Sequence, residues 1–178
     1  MIRNTKLKLK KRAQELFKHG KEYMHNLDFD NAINYFTNAI RLNPINFLFF
    51  YYRGNAWQEM KEYSNAIDDY SEAIKLKSDD AHLYYSRGYV QFCIERYGYA
   101  ISDFNEAIRF SPNETAYYTF RGISYKRQKQ FHNAIKDFKI ILSIDTVNSF
   151  AVEELKDIRI MKEKYPDYSS MTYQCDNI

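Results

Sequence analysis

The chain has 178 residues, of which 45% are hydrophobic and 28% are charged, a balance typical of one folded domain or a short solenoid. Its net charge of +3 is too small to indicate nucleic-acid binding, and no apolar run is long enough to cross a bilayer. Cys93 and Cys175 lie far apart without metal-ligand spacing, so we expect neither a disulfide framework nor a metal site. The basic N-terminus is not followed by an apolar segment, which favours a cytoplasmic protein over a secreted one.

The first predicted element is a helix that begins with a basic stretch. The basic residues that precede the first acidic residue, Glu15, are Arg3, Lys6, Lys8, Lys10, Lys11 and Arg12. We interpret residues 1–12 as an N-terminal extension that continues into the first helix with a solvated surface. The alternative is contact with acidic lipid or nucleic acid, for which six charges without interleaved aromatic residues are a weak signal.

Residues 13–148 contain four copies of a 34-residue unit, at 13–46, 47–80, 81–114 and 115–148. Four sets of residues recur at this interval: Gly20, Gly54, Gly88 and Gly122; Ala32, Ala66, Ala100 and Ala134; Phe36, Tyr70, Phe104 and Phe138; and Ala39, Ala73, Ala107 and Ile141. A fixed period of this length is typical of stacked repeats. Because glycine and proline are scarce, the spacing of the apolar residues predicts two helices, A and B, in each unit.

A short turn joins the two predicted helices of each unit, at 27–29, 61–63, 95–97 and 129–131, and ends in an aromatic residue that can anchor helix B. The repeated glycine lies inside helix A, where it costs roughly 1 kcal/mol relative to alanine. We therefore expect a second backbone to approach closely at the glycine, with the alanine twelve residues later as its partner. The aromatic residue four positions beyond that alanine is expected to face the next unit.

The repeat pattern stops after residue 148. Residues 149–165 are predicted to form an amphipathic capping helix, with Ala151, Leu155 and Ile158 on one side. Pro166 ends this helix, and residues 166–178 are predicted to form a flexible tail.

A pair of opposite charges recurs with the repeat. In units two to four an arginine precedes the glycine, and an aspartate follows sixteen residues after the arginine: Arg53 with Asp69, Arg87 with Asp103, and Arg121 with Asp137. In unit one both members are absent together, and His19 and Tyr35 replace them. This joint presence and absence predicts structural ion pairs, within a unit or across a unit boundary. The alternative is a ladder of arginines that binds an acidic ligand.

The segments 52–57 and 63–74 resemble the tetratricopeptide repeat, a 34-residue unit with glycine, alanine, aromatic residues and a closing proline at fixed positions. His19, Gln91 and Ile141 depart from that pattern, and two units lack the proline. The resemblance implies an all-α, right-handed superhelical solenoid of four helix pairs with a C-terminal capping helix. Helix A of each pair would line the concave groove.

The resemblance also implies that a partner binds to side chains of helix A in that groove. The candidate residues are Phe17, Lys21, Tyr51, Tyr52, Asn55, His82, Tyr85, Ser86, Tyr89, Phe120, Ile123 and Arg127. Aromatic residues offer a partner a large contact area at a low entropy cost. The alternative is that the rings pack against neighbouring helices and stiffen the stack.

A well-known ligand mode of the family, a carboxylate clamp for the acidic tail of a chaperone, is not matched. Its positions hold Phe17, Lys21, Tyr52, His82 and Ser86 in units one to three, or Tyr51, Asn55, Ser86, Ala116 and Phe120 in units two to four. Asn55 alone has the residue type that the clamp requires. We therefore expect no clamp of this kind.

The sequence predicts neither catalysis nor a cofactor. His82 and Ser86 are neighbours on a helix but lack a third partner, and Cys93 is expected to be a small buried thiol. The predicted function is a non-catalytic scaffold or adaptor, similar to a co-chaperone, that holds a peptide or helix of another protein. The alternative is an assembly subunit that self-associates weakly or joins a larger complex through its end faces.

Overall fold

The computed structural model describes residues 2–164, and within them it contains helices and no strand. The helices are α1 (Ile2–His25), α2 (Phe29–Leu42), α3 (Phe47–Glu59), α4 (Tyr63–Leu76), α5 (Ala81–Cys93), α6 (Tyr97–Phe110), α7 (Thr115–Arg127), α8 (Phe131–Ile144) and α9 (Ser149–Lys164). The predicted fold is confirmed: four helix pairs stack into a right-handed superhelical solenoid, and α9 follows them. No helix in this part of the chain is long and apolar enough to span a membrane. The predicted tail, 166–178, lies outside the described residues.

Each pair of antiparallel helices is joined by a turn with one residue in the left-handed conformation. The residues are Leu27, Lys61, Glu95 and Lys129, with φ of 60°, 61°, 61° and 62°. In the third unit, the N–H of Glu95 donates to the carbonyl of Phe92 at 3.0 Å, and the N–H of Arg96 donates to the carbonyl of Gln91 at 2.9 Å. These two hydrogen bonds satisfy carbonyl groups that the end of the helix would leave unpaired. The same arrangement recurs in all four units, so it fixes the angle at which helix B returns.

The repeated glycines make room for an aromatic ring. A Cβ atom added to Gly20 would lie 2.4 Å from the ring of Phe36, and one added to Gly122 would lie 2.9 Å from the ring of Phe138. The expected pairing of glycine with the alanine twelve residues later is therefore wrong. The nearest neighbour is the aromatic residue sixteen positions on, which also contacts the next unit as expected.

The core runs along the solenoid between the two layers of helices. The aromatic residues of helix B, Phe36, Tyr70, Phe104 and Phe138, are fully buried, as are the alanines that repeat beside them. Consecutive units share this core, because the ring of Phe36 in unit one lies 6.0 Å from the ring of Tyr52 in unit two. Each unit therefore completes the core of the preceding one, as expected for a stacked array.

The two ends of the array differ. Residues 5–12 of α1 are exposed, so the basic extension continues the first helix beyond the packed part of unit one. At the other end, Ala151 and Ile158 of α9 are fully buried against Phe138 and Ile141 of α8. The packed side of α9 is the one that the apolar spacing indicated, and the predicted end of this helix at residue 165 lies outside the described residues.

Candidate partner-binding groove

The candidate groove residues lie on α1, α3, α5 and α7, the first helix of each pair. Lys21, His82 and Arg127 are exposed. The partly buried members are Tyr51, Tyr52, Asn55, Tyr85, Ser86, Tyr89, Phe120 and Ile123. Phe17 is 7% exposed and packs in the core with Phe36 and Phe49, so it presents almost no surface to a partner.

An aromatic cluster links units one and two. The ring of Tyr52 meets the ring of Phe17 edge-on at 5.1 Å and the ring of Tyr51 edge-on at 5.5 Å. Lys21 Nζ lies 5.1 Å from the centre of the Phe17 ring and 6.0 Å from that of Tyr52. Aromatic and cation–π contacts of this kind each contribute about 1 kcal/mol. These rings therefore join the first two units, and Tyr52 is shared between the core and the groove.

A second aromatic cluster links units three and four around Phe120. The ring of Phe120 lies 5.1 Å from Tyr89, 5.4 Å from Phe92 and 5.9 Å from Tyr85. Burial raises the pKa of the Tyr85 hydroxyl, so this tyrosine stays neutral at physiological pH. The rings of the candidate site thus pack on one another, as the stiffening alternative expected, while Tyr85, Tyr89 and Phe120 each keep part of their surface in contact with solvent.

Two polar candidates are held by hydrogen bonds within the solenoid. The hydroxyl of Tyr70 donates to Asn55 Oδ1 at 2.7 Å. The side-chain oxygen of Asn55, the residue that matches the clamp, therefore already accepts a hydrogen bond within its own unit. The hydroxyl of Tyr117 lies 3.5 Å from His82 Nδ1. Burial raises the pKa of Tyr117 to about 12.

The three arginine–aspartate pairs form within their units, in fork-to-fork geometry. Arg53 donates to the two oxygens of Asp69 at 2.8 and 2.7 Å, Arg87 to those of Asp103 at 2.9 and 2.7 Å, and Arg121 to those of Asp137 at 2.9 and 2.6 Å. Burial raises the pKa of each aspartate, and the hydrogen bonds and charge of its arginine oppose that rise.

Each arginine also reaches the preceding unit. Its remaining nitrogen, Nη1, donates to a polar residue of helix B one unit earlier: Arg53 to Thr37 at 3.0 Å, Arg87 to Ser71 at 3.0 Å, and Arg121 to Asn105 at 2.7 Å. One guanidinium therefore ties three helices together, α2, α3 and α4 in the case of Arg53. In unit one the ring of His19 packs against the ring of Tyr35 at 5.7 Å, which replaces the ion pair with an aromatic contact.

A pocket of about 590 Å³ lies where α7, the start of α8 and α9 meet. Its apolar lining comes from Ile123, Phe131 and Met161, and its charged lining from Lys126, Arg127, Lys129 and Glu154. Lys126 Nζ is 2.6 Å from Glu154 Oε2 and 3.4 Å from Asp157 Oδ2, which ties α7 to the capping helix. Two predicted groove residues, Ile123 and Arg127, thus belong to a pocket at the C-terminal end of the groove.

Sequence reasoning did not find the contribution of α9 to this pocket. The available signal was spacing: Glu154 lies 34 residues after Phe120, so α9 occupies the place of helix A in a fifth unit. Nothing in the repeat pattern places Phe131, at the end of a turn, or Met161 beside the groove.

Within residues 2–164, no three His, Cys, Asp or Glu side chains are arranged to hold a metal ion. Cys93 is exposed rather than buried, which corrects the expectation for that thiol.

Two models of tetratricopeptide repeat families match the chain, one described as a tetratricopeptide repeat at residues 13–46 and one as a TPR repeat at residues 59–92. The chain is a tetratricopeptide repeat protein. Proteins with these repeats are in general non-catalytic scaffolds. A search of curated protein sequences finds no match to the chain.

Solved structures of tetratricopeptide repeat proteins share the fold of this one. MamA from Desulfovibrio magneticus RS-1, residues 41 to the end, is 16% identical with a TM-score of 0.80, and the match covers 89% of each chain. YrrB, described as having an unusual peptide-binding site, is 18% identical with a TM-score of 0.75, over 83% of this chain and 76% of YrrB. The first tetratricopeptide domain of Spaghetti, bound to an HSP90 peptide, is 25% identical with a TM-score of 0.59, over 65% of this chain and 94% of that domain.

Proposed function

We propose that this tetratricopeptide repeat protein is a non-catalytic scaffold that binds a peptide or helix of a partner protein in its concave groove. The observation that carries the proposal is the second aromatic cluster, in which Tyr85, Tyr89 and Phe120 are mutually packed and still partly exposed. Rings held in place by other rings lose little entropy when a partner binds, which favours affinity. The peptide-binding site described for YrrB and the peptide bound to Spaghetti support the same use of the fold.

The residues of the groove favour apolar anchoring over recognition of a chaperone tail. The clamp positions of units one to three include Phe17, which is buried, and the Asn55 oxygen in units two to four is bonded to Tyr70. A segment that presents alternate apolar side chains, or the apolar side of a helix, suits a surface of tyrosine and phenylalanine better.

The test is a selection of peptides from a random display library on the full chain, followed by affinity measurements with two variants. Tyr89→Ala removes a groove ring, and Tyr99→Ala removes a tyrosine of helix B that is 68% exposed. We expect selected peptides to bind Tyr89→Ala at least tenfold more weakly and to bind Tyr99→Ala like the wild type. Circular dichroism must show that both variants keep their helices. Peptides that bind both variants equally, or a library that yields no binder, would refute groove binding.

A further inference from the structure

We propose that the pocket between α7 and α9 takes one bulky apolar side chain of the partner peptide, with an aspartate or glutamate beside it bound by Arg127. This inference rests on the proposed function and names the chemistry of the peptide. The pocket has about 590 Å³, within the range of pockets that hold small ligands, so it has room for an anchor side chain and its flanking backbone.

The floor of the pocket is apolar and fixed by the core. Phe131 is buried, and Ile123 packs against the same cluster of residues as Phe131. Met161 of α9 forms the opposite wall and is 37% exposed. Filling an apolar concavity of this kind removes water mainly from Ile123 and Met161, which favours binding by about 25 cal/mol for each Å² of apolar surface buried.

The charged side chains around the pocket differ in whether they form ion pairs. Lys126 and Glu154 neutralise each other at 2.6 Å, and their side chains are only 16% and 17% exposed. That pair holds the α9 wall in place. Arg127, in contrast, is exposed and forms no ion pair with any residue in the described part of the chain. Lys126 also lies 3.4 Å from Asp157, so Arg127 is the charge of the lining on which the recognition of a partner rests.

A free guanidinium next to an apolar cavity selects a carboxylate next to an apolar side chain. Arginine binds carboxylates through two parallel hydrogen bonds, which gives direction as well as attraction. A basic residue at the same place in the peptide would be repelled by Arg127. We therefore expect peptides that bind the groove to combine a Phe, Leu, Ile or Met with an adjacent Asp or Glu.

The experiment uses the peptides selected on the full chain and compares two charge reversals. Arg127→Glu changes the rim of the pocket, and Arg41→Glu makes the same change at an exposed arginine in the last turn of α2. We expect Arg127→Glu to weaken binding at least tenfold and Arg41→Glu to change it less than twofold. The Met161 methyl signal, followed by NMR with ¹³C-labelled methionine, should shift on addition of peptide while that of Met60 does not.

The outcomes separate this inference from the proposed function. Peptides that lose affinity for Tyr89→Ala but keep it for Arg127→Glu would overturn the pocket inference and leave groove binding intact. Peptides that keep affinity for Tyr89→Ala would refute the groove itself.

Discussion

Replacing Arg87 tests the idea that the repeated arginines hold the solenoid together. Arg87→Ala removes two hydrogen bonds to Asp103 and one to Ser71, and it leaves a carboxylate that is 4% exposed without its counter-ion. Breaking a buried ion pair by removing one partner costs about 3–5 kcal/mol. The cost is reduced here because the Arg87 side chain is 23% exposed and because Gln91 still donates to Asp103 at 3.0 Å.

We therefore expect Arg87→Ala to lower the free energy of unfolding by about 3 kcal/mol. For a chain of this size, that corresponds to a fall in Tm of about 6–12 °C. Urea unfolding followed by circular dichroism measures the change. The matched control is Arg109→Ala, which breaks an ion pair with Glu106 in which the side chains are 60% and 41% exposed, and which should cost less than about 1 kcal/mol.

A second variant separates the stranded charge from the loss of packing. Arg87→Ala combined with Asp103→Asn removes the unpaired carboxylate, so the double variant should be more stable than Arg87→Ala by at least about 1 kcal/mol. An Arg87→Ala protein as stable as Arg109→Ala would show that the buried pairs contribute nothing beyond surface pairs. The arginines would then be available for the alternative role, in which they bind an acidic ligand.

Three further predictions concern the same helices. Gly88→Ala should lower the free energy of unfolding by about 1–3 kcal/mol in a thermal melt, because the added Cβ would lie 3.0 Å from the Asp103 Cβ. Gly98→Ala, whose added Cβ would have its nearest neighbour at 3.6 Å, should raise that free energy by up to about 1 kcal/mol. Glu95→Gly should stabilise by about 0.5–1 kcal/mol, since φ is 61° there; a lower Tm would contradict this. The cost of Arg87→Ala should depend on pH. Burial already raises the pKa of Asp103, and loss of Arg87 raises it further. The cost is therefore complete above the Asp103 pKa of the folded variant and shrinks as the pH falls through that pKa, because protonation removes the stranded charge. Urea midpoints at pH 7.5 and 4.5 measure this difference; an equal cost at both would refute it.

The repeat made most of the fold predictable from one sequence. Four copies sample one environment, so the joint loss of arginine and aspartate in unit one pointed to a contact that the structure has in the other three units. The glycine was harder to interpret. Sequence spacing identified a close approach at Gly54 but could not distinguish a neighbouring alanine from the ring of Tyr70, because both lie on the same side of helix B.

The candidate site was less predictable than the fold, because a pocket depends on how separate elements meet. Lys126 belongs to unit four and Glu154 to the capping helix. They are 28 residues apart, which is not the repeat interval, so the repeat pattern does not predict their contact. The left-handed residues were also missed. Leu27 and Glu95 are not the glycine or asparagine that usually marks this conformation, so their φ became evident only from the backbone.

The aromatic residues of the groove link binding to stability. Phe120 contacts rings of α5 and α6, so truncating it would weaken the stack and the binding surface together, and loss of binding in such a variant would not locate the site. Tyr89 is only partly buried and Arg127 is exposed, so either can be changed with less effect on the core. The same link works in the other direction. A peptide that bridges units three and four stabilises them by about 2.7 kcal/mol at 100 times its dissociation constant. Hydrogen exchange should then slow in α5 and α7 and not in α1, which would place the peptide on the groove independently of any substitution.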